Sequence, residues 1–352
     1  MSKKKLIIAD ITSLKNGKQS FGHFFHVADM YSKLFEDKSE VIIAGGPIYK
    51  EKFKNLILLK YDIDLREFGC IFLKIRSKIK EFLNARYVLK NVSNSIIVFQ
   101  DYSNLILFLS LYFFKSNNKI YLIQYKNEIA KGIKKIIFKK ISRRISGIIC
   151  SKKSVGEVYK IPYIVVPDYI YYNDNMYNSN NEECKYDYGV FGIIRRGKDV
   201  VGVAKRFINS NLKLIIAGSI QDEEIKRELE SLTSQYDNIK VLDEYLPVEK
   251  YNKLISKTKC VILPYIDDYY NESSSGVVFD ILFRGKPVIT RRYEIFEFIE
   301  TYKLGYLYDD LVNLDLNMII EENNYIQYKK NIIHYLKLNS QSGKLLGNFL
   351  KL

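Results

Sequence analysis

Short runs of Ile, Val and Leu recur along this chain, separated by longer stretches whose apolar positions repeat at helical spacing. In the first half the runs are Lys5–Ala9, Glu40–Ala44, Asn55–Lys60, Ser95–Phe99, Lys119–Gln124, Gly147–Cys150 and Ile164–Val166. In the second half they are Tyr188–Gly192, Leu212–Ala217, Ile239–Leu242, Lys259–Leu263 and Pro287–Thr290. Continuous apolar character, as opposed to alternation, is what parallel strands need when helices cover both faces of a sheet. Val200–Asn209, Asp222–Gln235 and Glu249–Ser256 read as intervening helices. The pattern, run through twice, predicts an α/β chain of two doubly wound domains.

The seam falls in Asp168–Tyr186, DYIYYNDNMYNSNNEECKY, which is rich in Asn and Tyr, lacks apolar periodicity and follows Pro167. The predicted division is a first domain over 1–170, a linker over 171–187, a second domain over 188–335 and a tail over 336–352 that returns to the first. A length of 352 residues suits two domains of about 150 each. Doubly wound sheets bind ligands outside the carboxyl ends of their strands, so the loops there are the first place to look for chemistry. A cleft with the two domains facing each other across it is the expected site.

Composition narrows the class. With 47% hydrophobic and 27% charged residues the chain is globular. MSKKKLIIADI starts basic, but its apolar run breaks at Asp10 before reaching the length of a signal peptide. The longest apolar stretch, Leu105–Phe114, is about half of what a bilayer span needs and reads as a buried helix. Cys70, Cys150, Cys184 and Cys260 are scattered, with neither zinc-ligand spacing nor a disulfide framework, which fits a reducing, cytoplasmic compartment. Fifty-five Lys and Arg against 40 Asp and Glu leave a net charge of +15. That excess calls for an anionic partner, although Lys, Asn, Ile and Tyr enrichment also follows from an A/T-rich genome.

The segment Tyr270–Thr290, YNESSSGVVFDILFRGKPVIT, carries the densest candidate chemistry. It follows a predicted strand, so its first residues lie in a loop at that strand's carboxyl end. From Gly276 the spacing is helical, and Gly285 is placed to cap the helix. Ser274, Ser275 and Gly276 then sit at a helix start, where free backbone N–H groups favour a phosphate. Glu272 stands before that seat and Asp280 within the helix, both able to accept hydrogen bonds from hydroxyls. A phosphate flanked by two hydroxyl-binding carboxylates describes a nucleotide-sugar. The plainer alternative is a serine-rich cap on an ordinary helix.

Glu272, Gly276, Asp280, Gly285 and Pro287 resemble the E-x7-E segment of GT-B glycosyltransferases, specifically glycosyltransferase family four, with Gly285-Lys286-Pro287-Val288-Ile289 in register. The second acid is Asp here, one methylene shorter. The resemblance implies that Glu272 binds sugar hydroxyls and Asp280 the ribose. Phe191–Asp199, FGIIRRGKD, is similar to the family's G-R-x(4)-K-G loop: Gly192 and Lys198 keep the spacing, Ile193 replaces the usual arginine, and Arg195 or Arg196 supplies that charge from a shifted position. Leu214–Gly218 is similar to the donor-domain strand that ends in glycine, and Tyr245 and Leu246 fall near the family's base contact. Phe21–Val27, FGHFFHV, resembles the loop and helix start of the first domain, without its first glycine and its glutamate. The resemblance is weak in the first half and strongest over Gly189–Leu307.

The resemblance implies a GT-B fold of two Rossmann-like domains and a glycosyltransferase that uses a nucleotide-sugar, UDP-linked, with retention. Expected catalytic residues are Glu272, Lys198 and Arg196; expected donor contacts are Arg195, Arg196, Lys198, Gly218, Tyr245, Leu246, Glu272, Ser274, Ser275, Gly276, Val277 and Asp280. On the acceptor side stand Gly22, His23, His26 and Gln124. Gln124 takes the place of a family histidine, which leaves hydrogen bonding but no titration. The acceptor is expected to be a glycan, either free or linked to a polyprenyl diphosphate, in bacterial surface-polysaccharide assembly such as capsule or O-antigen.

Asp62-Ile63-Asp64 spells a D-x-D that in another glycosyltransferase fold would hold a metal, but two doubly wound halves contradict that fold, and no metal or other cofactor is expected. Lys126–Arg144 is the most basic segment. On a helix its Ile129, Ile133, Ile136, Ile137 and Ile141 would share one side and Lys131, Lys134, Lys135 and Lys139 the other, as in an interfacial helix on an anionic membrane or a helix packed on the sheet with a solvated basic face. Three rival readings stand: a non-catalytic GT-B partner subunit, a nucleotide-sugar epimerase of the same fold, and a nucleic-acid binder. The last is disfavoured because no recognisable module interleaves aromatic with basic residues.

Overall fold

The computed structural model describes residues 3–12, 23–63, 71–127, 129, 132–167, 170, 183–266 and 276–352. The chain divides into two compact units, Met1–Tyr171 with Ser340–Leu352, and Tyr172–Asn339.

The first unit runs β1 (Lys4–Asp10), α1 (His23–Phe35), β2 (Ser39–Gly45), β3 (Leu56–Leu58), α2 (Ile71–Asn91), β4 (Ile96–Asp101), α3 (Asn104–Phe113), β5 (Lys119–Gln124), α4 (Ile133–Ile141), β6 (Gly147–Cys150), α5 (Lys153–Val158) and β7 (Tyr163–Val165). Its strands lie parallel in the order β3-β2-β1-β4-β5-β6-β7. Every residue of β1 from Leu6 onward is buried, as the unbroken apolar run requires.

The second unit runs β8 (Tyr186–Phe191), α6 (Val200–Lys205), β9 (Leu214–Gly218), α7 (Glu223–Gln235), β10 (Ile239–Asp243), α8 (Val248–Ser256), β11 (Thr258–Leu263), α9 (Gly276–Leu282), β12 (Val288–Arg291), α10 (Glu297–Thr301), β13 (Gly305–Tyr308), α11 (Leu316–Ile320) and α12 (Glu322–Ser340). Its strands are parallel in the order β10-β9-β8-β11-β12-β13. Alternate residues of one strand join different cores. Ile215, Ala217, Val261 and Leu263 pack on one face, and Leu214, Ile216, Cys260 and Ile262 on the other. That division is the structural meaning of apolar runs without alternation.

The last helix, α13 (Ser342–Leu350), belongs to the first unit. Its Phe349 ring meets Tyr121 edge-on at 5.4 Å, and the Tyr121 hydroxyl donates to the Phe349 carbonyl at 3.0 Å.

Three elements differ from the sequence expectation. β8 begins at Tyr186, inside the expected linker, because Tyr186 and Lys185 bond to the Lys257 carbonyl beside β11. β13 was not expected: its four residues, GYLY, are too short to show a run. In the basic segment the helix covers only the nine residues Ile133–Ile141.

Strand order reverses between β1 and β4 in the first sheet and between β8 and β11 in the second. At such switch points adjacent loops part to opposite faces and leave a crevice beyond the carboxyl ends of the strands.

Candidate functional site

At the switch point of the second unit, β8 ends at Phe191 and the chain turns through Gly192, whose φ of +95° suits a residue without a side chain. The neighbouring strand β9 ends in Gly218 at φ +152°, and a Cβ there would collide with the Gly192 carbonyl. The two strand ends approach this closely only because both residues are glycine. The loop that follows is pinned at several points. Gly192 N donates to Ala217 O (3.1 Å), Ile194 N to Ser219 O (3.0 Å), Asp199 N to Pro264 O (2.8 Å) and Ile266 N to Gly197 O (3.1 Å). Asp199 then caps α6 by accepting from Gly202 N at 2.9 Å.

This scaffold fixes Lys198. A bridge to Tyr265 holds its backbone, its side chain is 8% exposed, and its ammonium lies 5.8 Å over the Tyr265 ring. No carboxylate among the described residues forms an ion pair with it. Burial first, then the charge of Arg195, pushes its pKa down to about 8. A cation buried at this cost is suited to an incoming anion, which would restore the favourable field that burial removed. Of the loop's three expected cations only Lys198 is buried. Arg196 is engaged elsewhere, by Asp222 at 2.5 Å and Glu224 at 3.3 Å at the start of α7, so its guanidinium serves an exposed ion-pair cluster. Arg195 is exposed.

Across the same end of the sheet, α9 starts at Gly276 and closes at Gly285 (φ +63°). Gly285 N donates to Leu282 O (2.8 Å) and Lys286 N to Ile281 O (3.3 Å), the paired bonds of a glycine C-cap. Lys286 is structural: buried, it donates to Ser256 O at 2.8 Å and ties the turn before β12 to the end of α8. Asp280 is half-buried on α9. Its carbonyl accepts from Arg284, whose guanidinium also reaches Asn252 on α8. Tyr251, also on α8, packs edge-on against Phe191 at 6.1 Å. Burial above all, with the Asp280 carboxylate adding to it, raises its pKa well above the ordinary phenol value. The Tyr251 hydroxyl is buried with no hydrogen-bond partner among the described residues. A buried unmet donor at this crevice is the kind of exception a ligand explains. Tyr245 is exposed and Leu246 packs at the edge of the core. Gly276 and Val277 are half-buried on the first turn of α9. Glu272, Ser274 and Ser275 lie outside the described residues.

The first unit's switch point has different chemistry. Asp10 ends β1 and sits opposite Asp101, which ends β4. Thr12 Oγ1 lies 2.7 Å from Asp10 Oδ1 and 2.6 Å from Asp101 Oδ2. A hydroxyl has one proton to donate, so one contact requires a carboxyl group that carries its own. Tyr49 donates to Asp10 Oδ2 at 2.8 Å, which favours Asp10 as the ionised member. Burial first, then the charge of Asp10, raises the Asp101 pKa well above the usual carboxylate range. Thr12 thus bridges the two acids across the crevice floor, and Asp101 is the one whose burial favours the protonated form.

The expected acceptor-side residues are placed as follows. Gln124 ends β5 and is buried, donating to Tyr102 Oη and Asn104 Oδ1, both at 2.6 Å. His26 lies on α1 and packs edge-on against Phe25 at 6.3 Å; His23 begins α1. Gly22 lies outside the described residues, as do Asp64 and Lys131. Among the described residues no three His, Cys, Asp or Glu gather to hold a metal ion, and no helix is long and apolar enough to cross a membrane. On α4, Lys135 and Lys139 are exposed and Lys134 half-buried. The expected apolar face of α4 is corrected: Phe138, Ile141 and Ile137 pack on the core, whereas Ile133 and Ile136 point to solvent.

Sequence reasoning missed Asp10, Asp101 and Tyr251. The first two were visible, since LIIAD and IIVFQD are strands that each end in an acid. Tyr251 gave no signal, because on an amphipathic helix it reads as an ordinary packing residue.

No protein-family model matches the chain, and comparison with curated proteins gives no match. Solved structures do. AviGT4, a glycosyltransferase involved in avilamycin A biosynthesis, superposes with a TM-score of 0.65 at 11% identity over 99% of this chain and 97% of that one. Anabaena HepE in complex with UDP and glucose gives 0.62 at 12% identity over 98% and 100%. A glycosyltransferase from Rickettsia africae gives 0.64 at 13% identity over 100% of both chains. With two parallel sheets of Rossmann-like order and near-complete coverage, the chain has the GT-B glycosyltransferase fold.

Proposed function

We propose that this chain is a glycosyltransferase that moves a sugar from a UDP-sugar to a glycan acceptor, with retention. The observation that carries the reading is Lys198: a buried cation, unpaired with any described carboxylate, at the switch point of the second sheet. In the reaction the bond between the sugar's anomeric carbon and the diphosphate oxygen breaks. The acceptor oxygen bonds that carbon, and the acceptor proton passes to the departing phosphate on the same face. Lys198, with Arg195 nearby, stabilises the negative charge that gathers on the diphosphate, an effect worth about 3–4 kcal/mol per well-placed donor. Asp280 and the Tyr251 hydroxyl serve the nucleoside end, and Glu272 the sugar hydroxyls. The Asp10–Asp101 crevice offers acceptors to the hydroxyls of the incoming glycan.

The acceptor we propose is lipid-linked, in surface-polysaccharide assembly at the inner face of a cell membrane, which the basic α4 favours. HepE, a structure of the same fold, holds UDP-glucose, which supports the choice of base. Thermal-shift measurements with UDP-, GDP-, dTDP- and ADP-sugars test the reading. A ligand at 100 times its dissociation constant stabilises by about 2.7 kcal/mol. A clear rise in Tm with a UDP-sugar is expected; no rise with any of the four would sink the assignment.

A further inference from the structure

We propose that the first unit docks on an anionic lipid bilayer through an apolar stripe on α2, continued by the end of α3 and the exposed edge of α4. The inference rests on the membrane association proposed above and moves its centre from α4 to α2.

Ile71, Phe72, Ile75 and Ile79 recur at helical spacing along the first half of α2 and are 69, 78, 55 and 55% exposed. Ile75, Ile79, Phe82 and Ile106 line an apolar groove flanked by Lys74 and Lys78, the latter also pairing with Glu81 at 3.0 Å. The surface continues without a break. Phe82 meets Phe113 of α3 edge-on at 6.4 Å, Phe113 meets Tyr112 at 5.3 Å, and the Lys140 ammonium of α4 lies 5.7 Å over the Tyr112 ring. One turn before Lys140 stands Ile136, which with Ile133 is exposed. Large apolar side chains gathered on one face are unusual for a surface that meets only water.

Charge decides the occupant. The segments Ile71–Lys80, Asn104–Lys115 and Ile133–Arg144 hold eleven Lys and Arg and no Asp or Glu. A second copy of this chain would set those cations against one another, so self-association through this face is disfavoured. A bilayer with anionic headgroups answers both features, because apolar side chains enter the acyl boundary while lysines and arginines remain among the phosphates.

The test is sedimentation of the full chain with vesicles of phosphatidylcholine alone or mixed with phosphatidylglycerol. Expected is at least tenfold tighter binding to the anionic vesicles, weakened by salt. Phe72→Ser with Ile75→Ser should weaken that binding at least tenfold, and Lys135→Glu with Lys139→Glu severalfold. Both pairs should keep the wild-type Tm and the UDP-sugar-induced shift, since the altered side chains lie on the surface. If the α2 pair binds like wild type, the docking surface is refuted while membrane association stands. If the wild type ignores anionic vesicles, both fall, and the thermal shift still judges the transferase reading separately. A wild-type dimer that the α2 pair converts to monomer would also overturn the proposal, in favour of self-association.

Discussion

In the first unit the strands flanking the reversal of order, β1 and β4, end in Asp10 and Asp101. In the second, β8 and β11 end in Phe191 and Leu263 and hand over to Gly192 and Pro264. The two crevices are equivalent in topology and opposite in charge. One is floored by two carboxyl groups bridged by the Thr12 hydroxyl; the other encloses a lysine that lacks a described carboxylate partner. Backbone geometry follows the same division. The acidic crevice needs no unusual dihedral at its strand ends, whereas the basic one depends on Gly192 and Gly218, which let a loop lie close over the strand ends. The doubly wound fold supplies the place, and a few residues at and just beyond the strand ends decide the charge it presents.

Removing the buried cation is the most severe way to break this contrast. Lys198→Met should lower transfer at least a hundredfold, in line with the loss of one charge-stabilising donor. Its Tm should hold or rise, because a desolvated cation is exchanged for an apolar chain of similar length. A large fall in Tm with activity loss in proportion would instead mark Lys198 as structural.

The pH dependence of donor binding comes next. Burial depresses the Lys198 pKa to about 8, below its unfolded value, so the folded protein holds fewer protons here than the unfolded chain. A bound diphosphate favours the ammonium and raises the pKa again, so binding takes up a proton. UDP affinity should therefore fall as pH rises above about 8, by at most tenfold per pH unit. Titration calorimetry in buffers of differing ionisation enthalpy reads that proton directly, and a flat profile from pH 7 to 10 would count against the assignment.

Tyr251→Phe sharpens the donor side. Its hydroxyl has no described partner to lose, so stability should change by less than about 1 kcal/mol, with UDP affinity down about three- to tenfold if the nucleoside meets that hydroxyl. Unchanged affinity would mean the hydroxyl faces no ligand.

The smallest effect belongs to the acidic crevice and appears only against pH. The Asp101 pKa is raised on folding, so its stabilising contribution is full below the unfolded pKa near 4 and is lost as pH rises through the folded value. Asp101→Asn removes that loss while its amide still donates to Thr12. Chemical denaturation should find its stability relative to wild type rising steadily as pH rises from 5 to 8. A difference that does not change with pH would show that folding does not raise the Asp101 pKa.

Much of the fold was legible because parallel strands buried on both faces must be apolar throughout. LIIAD, IIVFQ and LIIAG announce themselves, whereas the short edge strand GYLY does not. The loop after β8 was legible in part. Gly192, Lys198 and Gly218 sit where the spacing put them, because glycine at a crowded strand end leaves few alternatives. Arg196 could not be read correctly from its own loop, since its partners Asp222 and Glu224 lie more than twenty residues away on another helix. The orientation of α4 eluded periodicity for a related reason. Five isoleucines at near-helical spacing do not say which of them the core has room for.

By itself, then, the sequence determined the class of fold, the two-unit plan, the positions of the strand ends and the strong excess of positive charge. These follow from local rules: apolar runs, glycine where side chains cannot fit, and the count of ionisable groups. Only the tertiary structure decided that Asp10 and Asp101, ninety-one residues apart in the chain, are bridged by Thr12, that Lys198 is buried while Arg196 is not, and that the Tyr251 hydroxyl is buried without a described partner. Burial and pairing depend on which elements the sheet order brings side by side, and that is a property of the whole fold.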